Sequence, residues 1–122
     1  MRRTGRGSGA LVVLLLLWLS GCAVTPAPSV PATRTHEAGP ASVLEASMAL
    51  LMERGYVIRH ADVALGRLEA VIARWPGYRV LLEVEAVEGE SRLAMRAYRG
   101  SRPLPPRLVE PLLAELSERL GH

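Results

Sequence analysis

The first twenty-odd residues limit this chain more than any others. Ala10 to Leu19 is an unbroken apolar run, preceded by Arg2, Arg3 and Arg6 with no acidic residue, and followed by Ser20-Gly21-Cys22. A helix that crosses a bilayer needs about 20 apolar residues, so the run is too short to span. A basic start, a short apolar centre and small residues at its end are the pattern of a cleavable export signal. Residues 1–21 are therefore read as a signal that does not contribute to the fold. The next segment, 22–40, carries Pro26, Pro28, Pro31 and Pro40 and shows no apolar periodicity. It reads as a disordered tether, reaching roughly 50 Å at about 3.1 Å per residue. Residues 41–122 are left, roughly 80 residues, which is room for one modest core.

The cleavage point carries more. Leu19-Ser20-Gly21-Cys22 resembles the lipobox of bacterial lipoproteins: Leu, a small residue, Gly, then Cys. The resemblance implies diacylglyceryl transfer to the Cys22 thiol, cleavage after Gly21, and acylation by palmitate-like chains. At about 0.8 kcal/mol per buried CH₂, two chains already anchor a protein stably. Ala23 follows the cysteine, where Asp would imply retention in the inner membrane. The resemblance thus implies the outer membrane, on its periplasmic face. Cys22 is the only cysteine, so an intramolecular disulfide and a multi-cysteine metal site are both excluded.

Charge supports this division. The chain has 15 basic residues, all arginine, and 12 carboxylates, for a net charge of +3. Three of the arginines lie in the signal, so the mature chain is balanced overall. The excess that would suggest nucleic acid belongs to the export segment, and no nucleic-acid partner is expected.

Within 41–122 the apolar spacing of Ala41 to Arg54 predicts a helix, with Ser42 and Glu45 as a capping box and Gly55 as its terminator. Four strands follow, at Tyr56–His60, Arg67–Arg74, Tyr78–Val87 and Ser91–Tyr98. An even loop at Glu88-Gly89 sets Val84 against Leu93, Leu82 against Met95, Val80 against Ala97, and Glu85 against Arg92. At Trp75-Pro76-Gly77 two signals conflict: Pro-Gly suits the centre of a type II turn, whereas matching Leu68, Ala70 and Ile72 to Val84, Leu82 and Val80 asks for an odd loop, so the residues leave this register open. Arg107 to Leu120 predicts a last helix, with Pro111 confined to its first turn and Gly121 ending it. The fold class is α+β, in the order α-β-β-β-β-α: an antiparallel four-stranded meander with two helices on one face. This order, with Gly55-Tyr56 after the first helix, is similar to the helix-grip-like domains of outer-membrane assembly lipoproteins of the BamC type. That likeness implies a scaffold or binding role.

The residues offer little to build a catalytic centre. His60 and Asp62 are spaced to pair as a base and its orienting group, but no serine sits in a nucleophile motif. Glu83 and Glu85 share a strand face with Arg92 and Arg96, which makes them ordinary cross-strand partners. There is no phosphate-binding loop, dinucleotide fingerprint or metal-ligand spacing. No catalytic residue, metal or cofactor is therefore assigned, and His36 in the tether reads as solvated. The sheet face away from the core carries Val71, Leu81, Ala94 and Tyr98 among its charges. With Trp75 at a turn, these form a candidate surface for an envelope protein. The expectation is a lipid-anchored, non-catalytic structural or partner-binding module. Its rival is a small ligand-binding or hydrolytic lipoprotein.

Overall fold

The computed structural model describes Val13, residues 30–74 and residues 77–121. The rest of the export segment, Cys22 and the tether as far as residue 29 lie outside the described residues, as do Trp75 and Pro76. Six strands and two helices follow one another: β1 (Ala32–His36), α1 (Pro40–Glu53), β2 (Tyr56–Asp62), β3 (Arg67–Ile72), β4 (Arg79–Val87), β5 (Glu90–Arg99), β6 (Arg102–Pro103) and, after a single 3-10 turn at Pro106–Leu108, α2 (Glu110–Leu120). The sheet is antiparallel, in the order β1-β5-β4-β3-β2, with β6 also paired to β5.

The expected α+β meander is present, but it is larger than four strands. Residues 32–36, read from sequence as part of the spacer, form an edge strand on β5. Ala32, Arg34 and His36 alternate with the β-branched Thr33 and Thr35. Pairing with β5 satisfies backbone groups that would otherwise line an open edge. His36 is consequently buried at 2% exposure, not solvated. The folded unit begins at Ala32 rather than at Ala41.

Helix α1 also starts earlier than its capping-box signal. Gly39 is the N-cap, no side chain caps the helix, and Val43 N–H donates to the Gly39 carbonyl. Pro40 takes the first turn, where its fixed φ fits and its missing N–H costs nothing. Ser42 and Glu45 therefore sit inside the helix and do not form the expected box. Pro111 lies in the first turn of α2 as required, and the stretch before it tightens into the 3-10 turn.

The two long hairpins show what sets register. At the β4–β5 turn Glu88 and Gly89 both have positive φ, 51° and 82°. That pair defines a two-residue type I′ turn, and the expected pairings of Val84 with Leu93 and Leu82 with Met95 follow. On the β3–β4 side Leu68 faces Leu82 and Ala70 faces Val80, two residues away from the expected match. The loop is odd, the parity that the apolar match asks for and a two-residue Pro-Gly turn would not give, so every side chain keeps its face. Gly66 explains the shift. Its carbonyl accepts the Val84 N–H at 2.7 Å, and a Cβ on it would lie 2.1 Å from the Val84 carbonyl oxygen. With φ at +65° as well, only glycine can occupy the place opposite Val84.

Both helices pack on one side of the sheet. Leu68, Ala70, Val80, Leu82, Leu93 and Met95 from the strands meet Val43, Leu44, Leu50, Leu51, Leu113 and Leu116 from the helices, all at 2% exposure or less. At about 1.5–3 kcal/mol for each large side chain buried, this layer is the main source of stability. The helices are tied to each other by two ion pairs, Arg54 with Glu115 and Arg119 with Glu53.

Candidate functional site

The candidate partner surface lies on the uncovered face of the sheet, as the alternation of the strands requires. The four described residues read as one strip, Val71, Leu81, Ala94 and Tyr98, are each half-buried. They do not form a continuous patch. Val71 faces Arg79, which in turn faces Tyr98. Leu81 stands between Glu69 and Arg96, and Ala94 between Glu83 and Thr33. Ion pairs run across the same rows: Arg92 to Glu85 at 3.3 Å, Arg96 to Glu83 at 3.9 Å and Arg79 to Glu69 at 4.0 Å. Exposed pairs like these contribute little stability, about 0–1 kcal/mol each. They do interrupt the apolar strip. Trp75, the fifth residue assigned to this surface, is outside the described residues.

Among the described residues, depressions open on this face at three places. The His60 cleft, about 190 Å³, is also lined by Arg67, Glu69, Leu81 and Glu83. No hydroxyl or thiol side chain lines it. Asp62 does not orient His60 in a visible way; its Oδ1 accepts the Leu65 N–H at 3.0 Å and so caps the β2–β3 turn. A second groove, about 390 Å³, runs across the strands past Thr33, Ala94, Glu83 and Arg67. The third, about 470 Å³, lies at one end of the sheet, among Arg59, Val71, Tyr78, Arg79, Tyr98 and Ser101.

This third groove is the best built. The Arg79 guanidinium lies 5.2 Å from the centroid of the Tyr98 ring, within range of a cation–π contact. Beside it the Tyr56 and Tyr78 hydroxyls are hydrogen-bonded at 2.9 Å, with their rings edge to face, 6.0 Å apart. Burial, and after it the bond to Tyr78, pushes the Tyr56 phenol well above the usual tyrosine range. Arg79 and Tyr98 are direct cross-strand partners in the register that the Glu88-Gly89 turn dictates, so the contact was derivable from sequence. Apolar spacing alone does not reveal it.

Nor does apolar spacing reveal a separation of charge along the strands. At the end holding the Gly100-Ser101 turn lie Arg59, Arg74, Arg79, Arg99 and Arg102. Of these only Arg79 has a carboxylate within 4.0 Å among the described residues, namely Glu69. At the opposite end, around the Glu88-Gly89 turn, lie Glu37, Asp62, Glu85, Glu88 and Glu90, with Arg67 and Arg92 as the neighbouring cations. Net composition gives no sign of this, because the two ends cancel.

The lipobox residues Leu19, Ser20 and Gly21, and the lipidation candidate Cys22, lie outside the described residues. Among the described residues no helix is long and apolar enough to cross a membrane, and no three His, Cys, Asp or Glu side chains gather as a metal site. No known protein-family model matches the chain, and no curated protein matches it.

Proposed function

We propose that the chain is a lipid-anchored lipoprotein of the bacterial envelope, held through Cys22 on the periplasmic face of the outer membrane, and that its domain is a non-catalytic structural or partner-binding module. The observation that carries this reading is the sequence Leu19-Ser20-Gly21-Cys22 closing a short apolar run behind a basic start, with the only thiol of the chain at the acceptor position. The likeness to the helix-grip-like domains of assembly lipoproteins is part of the same proposal. Two features of the domain favour a structural or partner-binding module over a small ligand-binding or hydrolytic one. Its core is filled, with Leu44, Leu82, Leu93 and Leu113 at 1% exposure or less between sheet and helices. Among the described residues the cleft beside His60 is lined by no hydroxyl or thiol side chain, and Asp62 caps the β2–β3 turn instead of pairing with the imidazole.

The test is metabolic labelling with a fatty acid in the producing bacterium. The parent chain should take up label and migrate as a processed form. Cys22→Ser should take up none and accumulate as the uncleaved precursor. A Cys22→Ser chain that is still labelled and processed like the parent refutes the proposal.

A further inference from the structure

We propose that the arginine-rich end of the sheet rests on anionic lipid headgroups of the membrane that holds the chain, so that the domain stands with its Gly100-Ser101 turn down and its Glu88-Gly89 turn toward the solvent. The inference rests on the anchored reading above and adds to it a contact surface and an orientation.

Charge complementarity is the first argument. Arg99 and Arg102 face each other across β5 and β6 and line one exposed groove with Pro103, Leu104 and Pro105, without a carboxylate. Arg59 and Arg79 line the neighbouring groove with Tyr78 and Tyr98, again without one. Arg74 is exposed on the β3–β4 loop beside them. Arginines beside tyrosines suit the boundary between headgroups and acyl chains, where an amphipathic ring and a cation are both well placed. The helix layer at this end adds Arg54 and Arg119, but these are tied to Glu115 and Glu53, and Glu118 stands nearby. The free positive charge therefore belongs to the sheet end. The opposite end carries Glu37, Asp62, Glu85, Glu88 and Glu90 against Arg67 and Arg92, a net negative charge that an anionic surface would repel.

The direction of the chain is the second argument. Ala32 pairs with Met95 and His36 with Ser91, so β1 starts on the side of the Gly100 turn and ends on the side of the Glu88 turn. The polypeptide coming from Cys22 thus reaches the sheet at mid-strand, through Pro31 in the open-face groove beside Thr33 and Arg96, and β1 then runs away from the basic end. Ten residues, from Cys22 to Pro31, precede Ala32, and they span at most roughly 35 Å. An anchor on so short a lead keeps the domain near the headgroups. Each arginine close to an anionic bilayer adds favourable electrostatic energy that decays over a Debye length.

The experiment uses the full chain as bacteria process it, reconstituted in vesicles of phosphatidylcholine with 30% phosphatidylglycerol and, separately, in phosphatidylcholine alone. One variant, Ser101→Cys, carries an environment-sensitive fluorophore at the basic end; another, Glu90→Cys, carries it at the acidic end. The expected result is a blue-shifted, headgroup-quenched signal at position 101 but not at 90, present with phosphatidylglycerol, weakened by salt, and reduced about tenfold in docked-to-undocked ratio by Arg99→Gln with Arg102→Gln. Equal signals at both positions, or a position-101 signal indifferent to lipid charge and to the arginine changes, overturns the proposal. The parent chain, whose only thiol is Cys22, serves as the anchor control: dye uptake and an unmodified mass there would mean that the anchored reading has failed. In that event the arginine comparison is read by flotation with the same vesicles added from outside. Loss of flotation in the double variant keeps the surface, and unchanged or absent flotation removes it. Competition by duplex DNA as strong as by phosphatidylglycerol would also reject a lipid-directed site.

Discussion

The two faces of the sheet are made from the same strands, residue by residue, yet they behave as different materials. On the covered face Leu82 faces Leu68 and Met95 and is shut between strands and helices, and Leu93 is as deeply buried beside Val84, with Arg34 of β1 closing its other side through an ion pair to Glu110. On the open face Leu81 is flanked by Glu69 and Arg96, and the charged rows belong to ion pairs that water can replace. The covered face therefore sets stability, while the open face and its two ends are free to set what the molecule meets.

The largest effect should come from breaking the covered face. Leu82→Ala is expected to lose about 2–5 kcal/mol of unfolding free energy in a denaturant titration, whereas Leu81→Ala, one residue along, should lose about 1 kcal/mol or less. Similar losses for the two would mean that the open face is packed in solution. Next come the glycines. Gly66→Ala places a Cβ against the Val84 carbonyl in a left-handed backbone and should cost about 2–3 kcal/mol. Gly89→Ala has the same backbone penalty but meets nothing within 4 Å, so about 1 kcal/mol is expected. Equal costs would show that the close approach at Gly66 is not present.

Smaller effects follow from titration. The Tyr56 phenol is raised in the folded state, first by burial and then by its bond to Tyr78. Its contribution is present below the ordinary tyrosine value of 10.0 and is lost as pH rises above it, because the unfolded chain ionises first. Alkaline unfolding should therefore begin near that pH, and Tyr56→Phe should move the onset upward. The smallest change belongs to the helix clasp. The hydrogen bond from Arg119 holds Glu53 below its ordinary value of 4.5, so the pair supports the fold above that value and fades as pH falls through the lowered one. Glu53→Gln should flatten the acid limb of a stability profile and change little at neutral pH.

Much of this architecture was legible in the residues. Strict alternation in β4 and β5 and the Glu88-Gly89 pair specified one hairpin to the residue, and with it the contents of both faces. What escaped had no local signature. β1 is a five-residue strand inside a proline-bearing segment, and only the unpaired edge of β5, far along the chain, makes it a strand. The shift at β3 depends on a backbone contact between Gly66 and Val84. The capping box at Ser42 was a sound local signal that Pro40 preempted. On the candidate surface, alternation alone puts Val71, Leu81, Ala94 and Tyr98 on the open face, but only the cross-strand register shows that Leu81 stands between opposite charges.

The central claim is that lipid on Cys22, and no spanning segment, holds the chain to its membrane. Intact mass and fragment spectra of the N-terminal peptide from the membrane-extracted protein test it most directly. The account predicts a mature chain starting at Cys22 with a diacylglyceryl group on sulfur. A first residue other than Cys22, or an unmodified Cys22 on a chain recovered from aqueous extract, would contradict it.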